Sequence, residues 1–526
     1  MRFLTRPLLS SLLIVLLWRI EGAEAWTDRF TTFWNVPSQK CHGTFDVAMP
    51  LRDYNIIHNS GFEFRGDQVV LFYEYKSGLF PYFEDSNTSR PVNGGLPQNV
   101  DISSHLSQLE EDIITHIPDE NFSGPAVIDV EEWRPMYHLN WGTKSIYREE
   151  SVRLVREKYP SMSLKSARVI AEEEFNSAAK KVLTLSLQLA RRLRPKAKWS
   201  MYGFPYCNYS AGKQGELRCS ENFRTHNDKL RWLYKEFSVL SPSIYLDLKN
   251  NNSAVNYRYI YALLAETKRI ADEFSPPIPI VPYTKFEYNP YDHPETHAYY
   301  TKRDLCNSLK LSSDMGAAGV LVWSTDSKMT KERCHSIRVN VAHSFGPAAD
   351  LVRRRANHCA LDKCSGNGRC ILRRPSDVCT FRMPMEEYTC ACDEGYYGES
   401  CERMHHLVDA DAGAGSGSEP DAEEPGFKIA VPGFIQEHGH KEDEEEKRPL
   451  DPLGNRESAL HAGVVPPVPE LFPSLFANRI TDQSMATVAP GVQLGTPPTP
   501  LPLPPNINVN DNREDAPGIS LFTRIL

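Results

Sequence analysis

The chain reads as an α/β protein in which a parallel sheet closes into a barrel inside a layer of helices, and two observations carry that reading. Between residues 27 and 347 short apolar runs alternate with long helical patterns, the signature of a parallel sheet wrapped by helices. At 526 residues the chain is also too long for one ordinary core, and such a length predicts roughly two to four units, with room for one large barrel.

The predicted strands are Phe45–Pro50, Val69–Tyr75, Ala126–Trp133, Trp199–Phe204, Ser243–Leu248, Ile278–Tyr283 and Gly319–Thr325. Between them Leu106, Leu109, Ile113 and Ile117 recur at steps of three or four before Pro118, giving a helix with one apolar face and a stop. Phe175, Ala178, Val182, Leu185 and Leu189 repeat the pattern, as do Leu230, Leu233, Phe237 and Leu240. These stripes predict packing faces.

Residues 1–25 have Arg2 and Arg6, then the apolar run Leu8 to Trp18, then Ala23-Glu24-Ala25. That order predicts a secretory signal peptide with the mature chain starting near Trp26, so the barrel is assigned to 26–350. No later stretch is apolar for long enough to span a bilayer. Twelve cysteines suit the oxidising route that such a signal implies, and the sequons at Asn87, Asn121, Asn208 and Asn251 are candidate glycan sites. The expected location is secreted, with delivery to lysosomes along the same route left open. A net charge of −9 argues against a nucleic-acid binder, which carries a basic face for phosphates, but leaves room for a local basic groove.

In residues 355–404 Cys359, Cys364, Cys370, Cys390, Cys392 and Cys401 follow the spacing C-x4-C-x5-C-x19-C-x-C-x8-C. A segment this small is stapled by disulfides because it cannot bury a sufficient core. The runs CSGNGRC and CACDEGYYGESC resemble an epidermal-growth-factor-like (EGF-like) module, whose usual pairing joins Cys359 to Cys370, Cys364 to Cys390 and Cys392 to Cys401. The preceding Arg353-Arg354-Arg355 lacks the acids of calcium-binding versions, so no calcium is expected. Residues 405–526 turn to Ala, Gly, Ser, Pro and acid, a composition that predicts a disordered tail. His438 and His440 within it are read as solvated polar residues, and no metal or cofactor is expected.

The chemistry is concentrated in Ala126-Val127-Ile128-Asp129-Val130-Glu131-Glu132-Trp133-Arg134-Pro135. On a strand, side chains alternate, so Asp129, Glu131 and Trp133 are expected on one face. Two carboxyls crowded in a partly apolar setting raise at least one pKa and keep a proton near neutral pH. A glycosidic bond needs such an acid for its leaving oxygen. A bare D-x-E is more often a solvated strand end. Here the pair closes an apolar strand before a Trp-Arg-Pro turn, where barrel active sites are built.

The chain resembles the animal and venom hyaluronidase family, glycoside hydrolases with a distorted, TIM-like (β/α) barrel. The resemblance rests on FWNVPSQKC (Phe33 to Cys41), GGLPQN (Gly94 to Asn99), VIDVEEWRP (Val127 to Pro135), WSMYGFPYC (Trp199 to Cys207), SPSIYL (Ser241 to Leu246) and GVLVWSTDS (Gly319 to Ser327). It implies Glu131 as proton donor and Asp129 as its partner, with Tyr202, Tyr245 and Trp323 against the sugar and Tyr73 and Arg134 as further binding residues. It also implies a mechanism in which the substrate's own acetamido oxygen attacks the anomeric carbon. The implied substrate is hyaluronan or chondroitin, polyanionic glycosaminoglycans, handled by a monomer. Cys41 would pair with Cys334 and Cys207 with Cys219, while Cys306 and Cys379 have no family partner and are bonded to each other or free. Where the family commonly reads Cys-Tyr-Asn, this chain reads Cys207-Asn208-Tyr209. Two other classes compete: a barrel without catalysis that binds glycosaminoglycan in the matrix, and a lyase that cuts by elimination.

Overall fold

The computed structural model describes residues 28–248, 252–291, 297–376 and 378–404. The expected signal peptide, the tail with His438 and His440, and the sequon at Asn251 lie outside the described residues.

The barrel is built from two parallel arcs. One has strands β1 (Thr31–Asn35), β2 (Ile57–His58), β6 (Tyr283–Thr284) and β7 (Gly319–Trp323) in the order β2-β1-β7-β6. The other has β3 (Val70–Tyr73), β4 (Pro125–Asp129) and β5 (Lys198–Met201) in that order. On one side an extended segment joins the arcs through parallel bridges from Tyr202 to Ser241, Leu240 to Ile280 and Ser243 to Tyr283. At the β2/β3 seam, Asn59 takes the place of a ladder. Its buried amide donates to the carbonyls of Glu63 and Val69 and accepts from the N–H groups of Gln68 and Val69, all at 2.8–2.9 Å. A side chain thus satisfies backbone groups that sheet pairing leaves open, and the barrel is closed but distorted.

Alternation along the strands sorts two cores. Phe33, Leu71, Val127, Val281 and Leu321 fill the barrel interior. Trp34, Phe72, Ala126, Ile128, Trp199 and Val322 point outward into the layer shared with the helices. The helix α1 (Ile102–His116) starts at Asp101, whose carboxylate accepts from the N–H groups of Ser103 and Ser104, and it buries Leu109 and Ile113. Helices α2 (Ser145–Lys158) and α3 (Leu164–Leu193) pack against each other. The stripe of α3 runs through Ala171, Phe175, Ala179, Val182 and Ser186, with Ala178 and Leu185 at its margin.

Several expected elements differ, Ser243–Leu248 among them, which pairs only through the bridge at Ser243. Phe45–Pro50 forms no strand: its alternation buries Val47 and Met49, but Asp46 has a left-handed backbone (φ 53°) and no neighbouring strand pairs with it. The first strand is instead Thr31–Asn35, whose polar ends hide it from a search for apolar runs. The stripe Leu230 to Leu240 is not one helix, because α4 (Glu221–Lys229) and a further turn end at Tyr234 and Leu240 crosses into the sheet bridges.

Helix α5 (Gly346–Lys363) passes without a break through residues 350–355 and carries the chain into a small antiparallel pair, Gly368–Leu372 with Tyr388–Cys392. Disulfides join Cys359 to Cys370, Cys364 to Cys390 and Cys392 to Cys401 in this segment. Others join Cys41 to Cys334 and Cys207 to Cys219. Cys306 and Cys379, left open by the sequence, bond to each other and tie the segment to the barrel wall. Lys310 and Asp314, paired at 2.6 Å, reinforce that joint by bonding the Tyr388 hydroxyl.

Candidate active site

Four of the barrel's strand segments place one apolar side chain inside and the next in-phase residue at the C-terminal rim. Leu71 is followed by Tyr73, Val127 by Asp129, Val281 by Tyr283 and Leu321 by Trp323. Register then sets the neighbours: Tyr73 lies opposite Asp129, and Asn35 opposite Trp323. The rim is where this fold builds active sites.

Asp129 is 6 % exposed, and its Oδ1 makes no hydrogen bond among the described residues. Burial, followed by the charges of Glu131 and Glu74, pushes its carboxyl well above the usual range. Glu131 is exposed at the surface. Loss of solvation among its neighbours raises its carboxyl, while Lys144 and Arg134 pull it back. Both carboxyls thus lie above their ordinary range, and the Glu131 charge contributes directly to the rise at Asp129.

The aromatic residues form one wall. Trp323 donates from Nε1 to the Tyr73 hydroxyl at 2.9 Å and stacks on Tyr245 with ring centres 6.0 Å apart. Tyr202 continues the wall, 5.9 Å from Tyr245, and its hydroxyl bonds Ser243 Oγ at 2.9 Å. Burial and the Glu131 charge push the Tyr202 hydroxyl up, so it stays a neutral donor. The Lys285 ammonium sits 4.8 Å from the centre of the Tyr245 ring. Arg134 stacks on Trp141 at 4.8 Å, donates to Leu139 O at 2.7 Å and braces its own turn, and its charge lowers the Glu131 carboxyl.

The run from Ala126 to Trp133 is not all strand. Pairing stops at Asp129, and Glu131 stands on the turn that follows. The N–H groups of Glu131 and Glu132 donate to Glu74 Oε1 at 2.9 and 3.0 Å, so they are unavailable to a neighbouring strand. Trp133 does not share the face of the acids; it is buried in the outer layer, bonded to Pro81 O and edge-on to Phe175. Asn87 and Asn121 are exposed, whereas Asn208 is 8 % exposed and turned inward. Its Nδ2 donates to Ser210 Oγ and its Oδ1 accepts from Ser220 N–H. The site therefore holds residues the sequence reading passed over. Ser243 and Tyr283 were findable, being in phase with Tyr245 and Val281, whereas Glu74 and Lys144 follow no period.

Fold and site together define an α/β-barrel protein with a crowded acid pair and an aromatic wall at the strand ends. The hyaluronidase model of glycoside hydrolase family 56 matches residues 23–400, and the chain belongs to that family. It is 40% identical over 385 residues to a chondroitin hydrolase of Caenorhabditis elegans, covering 73% of this chain and 82% of that one. It is 36% identical over 350 residues to human hyaluronidase-1, covering 65% and 78%. The crystal structure of bee venom hyaluronidase in complex with a hyaluronic acid tetramer aligns with a TM-score of 0.56 at 29% identity, covering 61% of this chain and 99% of the bee chain. Among the described residues no helix is long and apolar enough to cross a membrane.

Proposed function

We propose that the protein is an endo-hydrolase of the bond between N-acetylhexosamine and glucuronate in hyaluronan and chondroitin, with Glu131 as general acid and then base and Asp129 as its partner. The observation that carries this reading is the crowded carboxyl pair at the barrel rim beside the wall of Tyr202, Tyr245, Trp323 and Tyr73. A pair that keeps a proton supplies the acid for the leaving oxygen. Both carboxyls issue from one strand end, whereas a standard glycosidase pair flanks the bond from opposite faces. This favours a substrate-assisted, retaining route: the acetamido oxygen attacks the anomeric carbon, Asp129 faces the positive charge that develops on the acetamido group, and Glu131 protonates the leaving oxygen and later activates water. The relatives' names include both polymers. Arg134 tunes Glu131 through its charge and is a further binding residue for the polyanion.

The same reading makes residues 1–25 a signal peptide and the protein a secreted glycoprotein with glycans at Asn87 and Asn121. It makes 26–350 the catalytic barrel, 355–404 an EGF-like module and 405–526 a tail outside the chemistry of a monomer. Digesting hyaluronan and chondroitin side by side tests the function. New reducing ends should appear from both polymers without the ultraviolet absorbance of an unsaturated uronate. Absorbing products would mean elimination, and binding without cleavage of either polymer would mean a matrix-binding protein.

A further inference from the structure

The turn that carries Glu131 is held by two charged-type side chains from elsewhere in the chain. Glu74 follows β3 directly, and its own N–H donates to Asp129 O at 3.0 Å, which extends the β3–β4 pairing by one step and brings its side chain over the next turn. There Oε1 accepts from the N–H of Glu131 and of Glu132. From the other side Lys144, in the segment before α2, donates from Nζ to the carbonyls of Glu131 and Glu132, at 2.5 and 3.2 Å. The Glu131–Glu132 peptide is therefore gripped at both ends, its N–H by Glu74 and its C=O by Lys144.

Resting on Glu131 as the acid, we propose that Glu74 and Lys144 form a clamp that sets the direction of the Glu131 carboxyl, which makes both of them positioning residues. Such a group matters out of proportion to its contacts, because a displacement of about 1 Å at a reacting group lowers the rate on the order of a hundredfold. Glu74 is buried and its Oε2 makes no hydrogen bond among the described residues. Burial and the Glu132 charge push its carboxyl well above the usual range. Its Oε1 takes two N–H donors, and a glutamine amide offers a carbonyl oxygen at the same reach. Glu132 is anchored separately, accepting from the hydroxyls of Tyr75 and Tyr147, so the turn has a second footing and is not expected to collapse when Glu74 is changed.

The test uses the full chain with Glu74→Ala, Glu74→Gln, Lys144→Met and the Glu74→Ala/Lys144→Met pair. Glu74→Ala should lower kcat by about 10- to 100-fold with KM within about threefold, and Glu74→Gln should recover most of the loss. Lys144→Met should lower kcat less, and the double change should cost less than the product of the single effects, because both grip one peptide. If Glu74→Ala does not fold, Glu74→Met, which fills the space without an acceptor, replaces it. Amide hydrogen exchange at Glu131 and Glu132 reads the clamp without reference to activity: it should quicken at least tenfold in Glu74→Ala and not in Glu74→Gln. Unchanged exchange, or a folded Glu74→Ala protein with wild-type kcat beside an inactive Glu131→Gln protein, overturns the clamp. Quickened exchange with a fully active Glu131→Gln protein upholds the clamp and overturns the catalytic reading instead.

Discussion

Asp129 and Glu287 are both buried carboxyls just beyond or at the ends of barrel strands, and burial leaves them in opposite states. Glu287 is 0 % exposed, yet its carboxyl lies below the usual range. Burial alone would raise it; the contact with His297, the guanidinium of Arg333 at 3.2 Å and the Ser324 hydroxyl outweigh that. Asp129 has burial and two neighbouring acids, and its carboxyl rises. Partners decide the state of a buried acid more than depth does. A paired carboxylate braces the loops after β6 and β7, while an unpaired acid keeps a proton for chemistry.

The comparison can be broken first at Glu131. Glu131→Gln keeps shape and a polar end but removes the transferable proton, and turnover should drop by roughly a hundred- to ten-thousandfold while binding persists, measured on hyaluronan with folding checked by circular dichroism. The paired site should respond in stability instead. Glu287→Gln leaves Arg333 buried without its counter-charge, which costs about 3–5 kcal/mol, read from thermal or urea unfolding. Because the folded Glu287 pKa is depressed, its stabilisation is present above the ordinary glutamate value of 4.5 and is lost as pH falls through the folded value. The gap between Glu287→Gln and the wild type should therefore narrow in acid. Salt gives a smaller contrast. Affinity for a polyanionic chain should fall as ionic strength rises, through screening of Lys285, Lys144 and Arg134 near the site, whereas the buried Glu287 pair should hardly respond.

Much of this was legible in the residues. Val127-Ile128-Asp129 alternates as a strand must, and the acid pair and the aromatic residues Tyr73, Tyr202, Tyr245 and Trp323 all reach the same rim. The errors share a cause: periodicity records which side of an element is buried, not what it pairs with. Val47 and Met49 are buried in alternation with no strand beside them, and Thr31–Asn35 is a central strand with polar ends. Trp133 obeys the alternation on paper, but two N–H groups captured by Glu74 end the strand before it. Glu74 itself lies 57 residues from the Glu131 amide it holds, and nothing in a local pattern encodes that meeting. The Cys306–Cys379 bond likewise depends on a crossing that only the fold supplies.

The acid pair at the rim should keep a proton that the paired Glu287 has lost. Carbon-13 NMR of selectively labelled Asp and Glu carboxyls, assigned through Asp129→Asn, Glu131→Gln and Glu287→Gln, measures this directly. The Asp129/Glu131 pair should take up its first proton at a pH above 4.5, and Glu287 should stay ionised to below that value. A pair whose two carboxyls both ionise at or below the ordinary values, with Glu287 titrating beside them, would contradict it.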